Sequence, residues 1–449
     1  MPRSYNSLPG PKEPPIVGSV YRRFRDPLVF FVEMKQKYGD AVRFKLFSER
    51  FILFSDPALV NEILVTKQNS FRKGRALEGA KVFLGNSLLV SEGEEHTRQR
   101  RLIQPAFHRG RIAGYAQLMA EKARQWVDAQ HAGKEIDLAV EMNRLTLTVV
   151  ADTLFGSEVE SQANEIAESL TVVIENFNRM LLPLWKYFRL IPTTRNLRLL
   201  RAQKRLDKTV YELISQRRKE GRDHGDLLSM LLAAEDAENP QKRLTDTEVR
   251  DQAMTLFLAG HETTANALSW TWHLLTQHND VRVKMKAEID AVLGPDRLPG
   301  LDDTAKLPYT TAVFSESMRL FPPVWVVGRR ALEDITIGDY EVPKRTIVIT
   351  SQYLIHRDER FWPDPLEFRP ERWLDEKAQE ARPKFAYFPF GGGGRICIGD
   401  AFAWTEGVIL LAVMARRWRF ETTPEYAADI GASVTLRPKY GLKMIVRDV

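Results

Sequence analysis

A single cysteine, Cys397, lies in a short stretch crowded with glycine, and we expect the chemistry of this protein to centre on it. The stretch is residues 390–399, Phe-Gly-Gly-Gly-Gly-Arg-Ile-Cys-Ile-Gly, and no other cysteine occurs among the 449 residues. Glycine is needed where a backbone bends tightly or approaches a flat ligand. Apolar residues at helical spacing follow Gly399, so the sequence predicts a helix whose positive amino end favours a thiolate. Arg395 indicates an anionic group on the bound ligand.

Two other interpretations of this stretch have to be weighed. In an arbitrary intracellular chain, a lone cysteine is more often a small buried hydrophobic residue than a reactive one. The glycines around Cys397 favour a ligand-approach loop instead. A phosphate-binding loop is excluded, because no Gly-Lys-Ser/Thr follows the glycines as a P-loop requires.

Three further patterns place polar groups at helical spacing. His96 and Arg100 lie on the same face of a helix, where both could grip one carboxylate, and Glu316 and Arg319 could pair in the same way. Residues 259–264, Ala-Gly-His-Glu-Thr-Thr, lie within a long apolar helix although glycine and two β-branched hydroxyl residues weaken helix propensity. A local groove beside this helix is therefore expected. Taken alone, the threonine pattern could reflect a hydroxyl that bonds back to its own helix.

Residues 390–399 resemble the haem-binding signature of the cytochrome P450 family, Phe-x-x-Gly-x-Arg-x-Cys-x-Gly. The fixed positions are all filled, by Phe390, Gly393, Arg395, Cys397 and Gly399. The resemblance covers nearly the whole chain. Residues 259–263 match the family's Ala/Gly-Gly-x-Asp/Glu-Thr, and residues 316–319 match its Glu-x-x-Arg. Residues 368–373, Phe-Arg-Pro-Glu-Arg-Trp, match Phe-x-Pro-Glu-Arg-Phe with only the last aromatic changed.

This resemblance implies that the cofactor is haem b and that Cys397 is the thiolate ligand of its iron, favouring O–O cleavage. The other haem contacts that it implies are Phe390 and Arg395 in the cysteine loop, Ala259 on the long helix, and His96, Arg100 and Arg329 at the propionates. Arg330 is adjacent to Arg329, so the choice between these two arginines stays open at this point.

The resemblance also assigns roles in oxygen activation, stability and substrate binding. Glu262 and Thr263 would deliver protons to oxygen bound at the iron. A structural ion-pair triad beneath the haem would consist of Glu316, Arg319 and Arg372. The residues expected to line an apolar substrate pocket are Leu89, Ala259, Val324, Val326 and Val434.

The chain pattern predicts a mainly α fold with small β-sheets. By resemblance this is the cytochrome P450 fold, a single domain over residues 1–449 with haem between a long central helix and the cysteine-loop helix. A β-rich corner is expected near residues 41–55, 321–350 and 418–449, and the helical bulk over 57–320 and 397–417. Thr245 and Glu248 form a capping box for the long helix, which is predicted to run to about Gln277. The apolar, aromatic residues 177–192 are either packed core or, by resemblance, a mobile lid that can rest on a membrane.

Composition and charge limit the partners and the compartment. A content of 44% hydrophobic and 28% charged residues is ordinary for a soluble globular protein. Residues 1–20 contain no apolar run, so no transmembrane anchor is expected, and one cysteine agrees with a reducing compartment. We expect a cytoplasmic monomer. A basic cluster comprises Arg98, Arg100, Arg101, His108, Arg109 and Arg111. It fits an anionic cofactor group and an acidic protein partner better than nucleic acid, because no nucleic-acid-binding motif accompanies it. A solvated helix face remains open for Arg98 and Arg111.

These observations together predict a haem-thiolate monooxygenase. It would activate O₂ and insert one oxygen atom into an apolar small molecule such as a fatty acid, terpenoid or carotenoid. Because no flavin or iron-sulfur segment accompanies the haem motifs, electrons would come from a separate ferredoxin or flavodoxin with its NAD(P)H reductase. A peroxygenase of the same fold fits less well, since such members usually replace the pair formed here by Glu262 and Thr263, and an isomerase usually lacks the threonine. A non-enzymatic haem sensor or carrier would be distinguished by NADPH consumption.

Overall fold

Helices make up most of the fold. The computed structural model describes residues 2–12, 14, 18–19, 23, 25–156, 163–176, 179, 185–236, 239–423 and 428–449. The α-helices are α1 Pro27–Tyr38, α2 Pro57–Asn61, α3 Arg75–Leu84, α4 Gly93–Ile103, α5 Arg109–Asp128, α6 Leu138–Phe155, α7 Ala163–Asn176, α8 Trp185–Phe188, α9 Thr194–Glu220, α10 Leu227–Ala233, α11 Asp246–Gln277, α12 Asn279–Leu293, α13 Leu301–Thr304, α14 Pro308–Leu320, α15 Gln352–Ile355, α16 Glu376–Ala381 and α17 Asp400–Ala415.

The strands are short. They are β1 Ala41–Leu46, β2 Glu49–Phe54, β3 Phe71–Lys73, β4 Glu135–Asp137, β5 Glu235–Asp236, β6 Asn239–Arg243, β7 Val327–Ala331, β8 Ile335–Ile337, β9 Tyr340–Val342, β10 Ile347–Thr350, β11 Trp418–Thr422, β12 Ile430–Ala432, β13 Leu436–Pro438 and β14 Lys443–Asp448. The prediction of a mainly α protein with small sheets is confirmed. None of the helices in the described part of the chain has both the length and the apolarity needed to cross a bilayer.

The long helix of the sequence prediction is α11. The Glu248 backbone N–H donates to the Thr245 hydroxyl at 3.2 Å, and the Thr245 N–H donates to the Glu248 carboxylate at 2.8 Å. This reciprocal capping box gives acceptors to the backbone N–H groups of Thr245 and Glu248 at the start of the helix. The helix then continues for 32 residues, about 50 Å at 1.5 Å per residue. Its predicted start and end are both confirmed.

Contacts divide the chain into two compact units. The first unit contains residues Met1–Gly74, Ala312–Cys397 and Ile430–Lys439. Its main sheet has the order β1-β2-β10-β7-β3, with β10 parallel to β2 and antiparallel to β7. An aromatic core packs against this sheet, in which the rings of Phe31 and Trp325 lie 5.7 Å apart and those of Phe44 and Phe51 stack at 5.1 Å. This core anchors the segment that leads into β7.

The second unit contains residues Arg75–Thr311, Ile398–Asp429 and Tyr440–Val449. In this unit α11 packs against both α6 and α17. The close approach of α6 explains a glycine within α11, because a Cβ added at Gly260 would lie 3.1 Å from Cγ2 of Val150. The Thr146 hydroxyl of α6 also donates to the His261 carbonyl at 3.1 Å. Helix α11 is thus tightly held at the turn that contains the Gly-His-Glu-Thr pattern.

Two features differ from the sequence expectation. The strands near residues 418–449 fall into two places, because β12 and β13 pair with each other in the first unit, where Leu436 joins the core of the main sheet, whereas β11 and β14 form a separate sheet with β4 in the second unit. The backbone of β4 supplies the partner edge for β14, and no sequence pattern had indicated β4. In the segment 177–192, residues 177–178 and 180–184 lie outside the described residues. Farther along it, Trp185 is buried, but Tyr187, Phe188, Leu190 and Ile191 are exposed, so this part is not packed core.

Candidate active site

The cysteine loop closes on itself before α17 begins. The backbone N–H of Cys397 donates to the Phe390 carbonyl at 3.0 Å, and the N–H of Ile396 donates to the Gly393 carbonyl at 3.1 Å. The Cys397 side chain is exposed to solvent, and α17 starts soon after it, at Asp400, as the sequence predicted. The loop therefore presents its thiol outward, and the interpretation of Cys397 as a small buried residue is wrong.

The glycines of this loop are required by the segment on which it packs. A Cβ at Gly392 would lie 2.5 Å from Cε1 of Phe385, and one at Gly393 would lie 1.8 Å from the Leu64 carbonyl oxygen. Gly393 also has φ +68°, a left-handed conformation that favours glycine. The loop thus packs closely against Phe385 and Leu64, and its exposed thiol follows a run of glycines that have no side chains. This arrangement, with a single sulfur ligand, fits a flat macrocycle that carries a metal at its centre.

A strip of α11 is open although most of the helix is buried. Ala259 is exposed and Thr263 is half-buried, whereas Glu262 between them is buried. The Thr263 hydroxyl donates to the Ala259 carbonyl at 2.9 Å, so this hydroxyl does bond back to its own helix. An alcohol oxygen in that position can still accept a proton or a further hydrogen bond. The strip thus presents the Thr263 hydroxyl, and the buried Glu262 carboxyl group is its neighbour in the sequence.

His261, at the variable position of the same pattern, is not a proton donor at neutral pH. Burial lowers the pKa of His261 to about 4, so the imidazole is neutral. Its Nδ1 lies 2.8 Å from the Phe257 carbonyl, a distance that assigns the proton of the neutral ring to Nδ1. The acid–base candidates in this turn are therefore Glu262 and Thr263.

The candidate propionate ligands lie on α4 and β7. On α4, His96 is buried and Arg100 is half-buried. On β7, Arg330 forms an ion pair with Glu49 at 3.2 Å. Successive side chains of a strand point to opposite faces, so Arg329 lies on the face away from Glu49. This separates the two arginines that the sequence could not distinguish and favours Arg329 as the ligand.

Two arginines of the basic cluster had been left open as a solvated helix face. Arg98 is not solvated: it bonds Glu95 of α4 at 2.8 Å and also Glu248, the capping residue of α11. It therefore fixes α4 to the first turn of α11. Arg111 is half-buried with 40% of its side chain exposed and lies 3.7 Å from Asp223, as expected for a surface position.

Glu316, on α14, accepts hydrogen bonds from several donors at once. Arg319 donates from Nε at 2.8 Å and from a terminal nitrogen at 2.9 Å, and Arg372 donates from Nε at 2.8 Å. The indole N–H of Trp373 donates at 2.9 Å and the backbone N–H of Arg369 at 3.1 Å. Glu316 and Arg319 are fully buried and Arg372 is buried. Sequence reasoning missed the Trp373 contact, because the family pattern has phenylalanine there.

The candidate substrate-pocket residues fall into two groups. In the first unit, Val324 and Val326 are half-buried on either side of the buried Trp325. The Trp325 indole N–H donates to the Ser433 carbonyl at 3.0 Å, which brings in the neighbouring Val434. The alternation predicted for this segment is thereby observed. Leu89, half-buried between α3 and α4, and Ala259 belong to the second unit.

One buried acid was missed altogether. Glu406 on α17 is fully buried, and burial raises its pKa to about 8 against the smaller lowering effect of the Thr264 hydroxyl. The sequence could have indicated this residue, because Glu406 is the one carboxylic acid within the apolar run of α17. Charged residues are almost never fully buried without a partner, so such an interruption marks a special environment.

Comparison with known proteins shows the family of this chain. Residues 8–444 match the family model described as Cytochrome P450. The chain is 39% identical to cyclooctat-9-en-7-ol 5-monooxygenase of Streptomyces melanosporofaciens, covering 94% of this chain and 91% of that protein. It is 33% identical to pentalenene oxygenase of Streptomyces avermitilis, covering 93% and 91%.

The fold gives the same result. The structure of retinoic acid-bound cyanobacterial CYP120A1 superposes with a TM-score of 0.89 at 28% identity, covering 98% of this chain and 99% of that one. The family match spans the cysteine loop, the Gly-His-Glu-Thr turn and the Glu316 cluster alike. The chain belongs to the cytochrome P450 family.

Proposed function

We propose that this monooxygenase oxidises an apolar molecule of the terpenoid class, with Cys397 as the thiolate ligand of its haem b. The observation that carries the proposal is the exposed thiol on a glycine loop. The substrate class is supported by relatives named for cyclooctat-9-en-7-ol and pentalenene, and by the apolar side chains at Leu89, Val324 and Val326. When bound, the haem supplies the redox chemistry that divides O₂ between product and water.

Haem binding would use the cysteine loop and several basic side chains. Cys397 provides the sulfur ligand, and the Cys397 N–H bond to the Phe390 carbonyl holds the loop in place. We assign the haem propionates to His96, Arg100, Arg329 and Arg395, which can neutralise carboxylates by charge-assisted hydrogen bonds. Since one family model matches residues 8–444, we propose that residues 1–449 act as one domain.

Proton delivery is assigned to the open strip of α11. Thr263 Oγ1 would hold a proton beside the dioxygen substrate, and the Glu262 carboxyl group would replace that proton after each transfer. The half-buried hydroxyl and the buried carboxyl suit these separate tasks, because one must face the reacting molecule and the other need not. Neighbouring Ala259 leaves space for the substrate.

A Thr263→Ala variant tests this assignment. Substrate binding should stay near normal, judged by the substrate-induced shift of the haem Soret band, while a larger share of the electrons from NADPH appears as H₂O₂. The matched control is Thr276→Ala, because Thr276 is a half-buried threonine of the same helix whose hydroxyl donates to the His273 carbonyl at 2.7 Å. Parent-level coupling together with a collapse of affinity in Thr263→Ala would make Thr263 a pocket residue instead.

Electrons would come from an acidic ferredoxin or flavodoxin supplied by a NAD(P)H reductase. The net charge of +6, the exposed Arg109 and the partly exposed Arg111 support an acidic partner. Such docking predicts that haem reduction by the partner slows as ionic strength rises, which stopped-flow measurements would show. We further propose that the enzyme works as a cytoplasmic monomer, where reduced electron donors are available.

A further inference from the structure

The loop of residues 85–91, between α3 and α4, is held by side chains of α11. The Asn86 N–H donates to the Asp251 carboxylate at 2.8 Å, and the Leu88 N–H donates to Oε1 of the fully buried Gln252 at 2.9 Å. Backbone N–H groups that lie outside helices and strands need such partners once they are covered. Two consecutive residues of α11 thus fix two backbone positions of this loop.

The backbone at Gly85 permits this close contact. A Cβ added at Gly85 would lie 1.9 Å from Asp251 Oδ2, and Gly85 has φ +58°, a conformation that favours glycine. One turn farther along α11, the Thr255 hydroxyl donates to the Ser87 hydroxyl at 2.5 Å. Residues 251 and 255 are four apart and therefore lie on one face of the helix. Asp251, Gln252 and Thr255 together form what we call the α11 clamp.

Helix α4 holds the same loop at a second place. Gln99, which is buried on α4, donates from Nε2 to the Asn86 carbonyl at 2.6 Å. Within the loop, Leu88 and Val90 are buried, whereas Leu89 between them is half-buried. The backbone of the loop is therefore fixed while the side chain of Leu89 stays partly open.

Ion pairs connect the α11 clamp to α9. Asp251 accepts the Asn86 N–H at Oδ2 and a terminal N–H of Arg250 at Oδ1, the latter at 2.8 Å. Arg250 also donates from Nε to Asp207 of α9 at 2.8 Å. Arg250 and Asp251 are both buried, so the loss of either would leave an uncompensated charge. These bonds hold the Asp251 carboxylate in the orientation that the loop requires.

We propose that Asp251, Gln252 and Thr255 are specificity-determining positioning residues. By fixing the backbone of the loop, they set the place of Leu89 in the substrate pocket. The same helix carries Thr263, so one rigid element positions both the pocket wall and the proton-delivery turn. A wall that is fixed before binding discriminates between ligand shapes, because no free energy is spent on ordering it. The inference rests on the proposed role of Leu89 in the pocket.

Hydrogen–deuterium exchange of the haem-bound protein tests the α11 clamp without turnover. Gln252→Met removes the acceptor of the Leu88 N–H, and Nε2 of Gln252 has no hydrogen-bond partner among the described residues that would also be lost. Exchange in residues 85–91 should become several-fold faster, while α12 and α17 keep the parent rates. The matched control is Gln277→Met, at the exposed end of the same helix. Unchanged exchange in residues 85–91 would overturn the proposal.

Ligand binding tests the effect on specificity. Imidazole reaches the haem iron with little contact to the pocket walls, whereas 4-phenylimidazole also fills apolar space beside the iron. Titrations of the Soret band should show that Gln252→Met and Thr255→Val each bind 4-phenylimidazole several-fold more weakly and bind imidazole like the parent. Equal weakening of both ligands would indicate general damage to the haem site and would overturn the proposal. If Gln252→Met does not hold haem, Thr255→Val decides, because it replaces only a hydroxyl by a methyl group.

A double-mutant cycle assigns the effect to Leu89. In a Leu89→Ala background, Gln252→Met should weaken 4-phenylimidazole no further, because the side chain that the α11 clamp positions is absent. Additive losses would overturn the proposal. Faster exchange in residues 85–91 with parent-level discrimination between the two ligands would also overturn it and leave the proposed function unaffected. The expected loss of discrimination in a protein that oxidises no terpenoid would support the clamp and count against the proposed substrate class.

Discussion

Glu316 and Glu406 are both fully buried glutamates on helices, but their carboxyl groups differ in hydrogen bonding. Glu316 receives donors from Arg319, Arg372 and Trp373 and from a backbone N–H, whereas Glu406 has no hydrogen-bond partner in good geometry among the described residues. Burial of a charge is tolerated when it is paired and hydrogen-bonded, and otherwise the group becomes neutral. Burial depth alone therefore does not decide the state of a carboxyl group.

The comparison also separates two tasks. The Glu316 cluster ties α14 to the Phe-Arg-Pro-Glu-Arg-Trp segment, and Arg319 further donates to the carbonyls of His356, Pro365 and Glu367. It is a cross-link whose loss would leave several buried donors without acceptors. Among the described residues the Thr264 hydroxyl is the polar group that acts on the pKa of Glu406, so the loss of Glu406 would disturb one turn. We therefore expect a large effect on folding from the first acid and a selective effect from the second.

The largest effect is expected from Glu316→Ala. Removing this carboxylate leaves Arg319 and Arg372 buried without their acceptor, at a cost of about 3–5 kcal/mol. The yield of folded protein that retains haem should fall to a small fraction of the parent, measured by haem absorbance per protein after purification. The control is Glu367→Ala, because that side chain is 66% exposed and lies 4.0 Å from Arg369. Equal haem content in Glu316→Ala and Glu367→Ala would show that the fold does not depend on the Glu316 cluster.

A pH-dependent effect is expected from Glu406→Gln. The folded pKa of Glu406 is raised to about 8 from a usual value near 4.5, so the folded state keeps a proton that the unfolded state loses. The stability that this proton confers is fully present below the pKa of Glu406 in the unfolded state. It is lost as the pH rises through the pKa of Glu406 in the folded state, by up to about 1.4 kcal/mol per pH unit. Thermal midpoints measured across this window should show the parent losing stability relative to Glu406→Gln. If the thermal midpoints of the parent and of Glu406→Gln changed with pH in parallel, Glu406 would not titrate in this pH window.

The smallest effect is expected from Trp373→Phe. The indole N–H donates to Glu316 at 2.9 Å, and the ring also packs at 4.5 Å from that of Tyr387. Phenylalanine keeps an aromatic ring but not the donor, and Glu316 retains its arginines, so the loss should be about 1 kcal/mol. Chemical denaturation would measure it, with haem content as the check on folding. An unchanged midpoint would show that the substitution of tryptophan for the family's phenylalanine is neutral.

Some of this arrangement could be predicted because both partners of an interaction recur as a pattern. The capping box of α11 is local, and the residues of the Glu316 cluster stand in two motifs whose order is fixed. The exposed Cys397 loop was expected because glycine spacing and the following helix both mark it. In each case the interacting residues lie in short motifs that can be recognised in a single sequence.

Other features could not be predicted because their partners are remote and carry no pattern. Gly260 was expected to open a groove, yet its missing side chain also makes room for Val150 of α6. Gly393 is needed because of the Leu64 carbonyl, and nothing in the sequence links these residues. The pairing of β14 with β4 joins segments far apart in the chain, next to a hydrogen bond from the Leu442 N–H to the Asp137 carboxylate. Glu406 could have been suspected from its apolar surroundings, but the effect of the Thr264 hydroxyl on its pKa could not.

The central claim is that Cys397 is the thiolate ligand of the haem, and the absorption spectrum of the reduced carbon monoxide complex tests it most directly. The parent should show the red-shifted Soret band typical of a thiolate ligand. A Cys397→His variant should hold haem but lose that band and its monooxygenase activity, because imidazole does not supply the electron donation of sulfur. A Cys397→His protein that kept the red-shifted band would contradict the account.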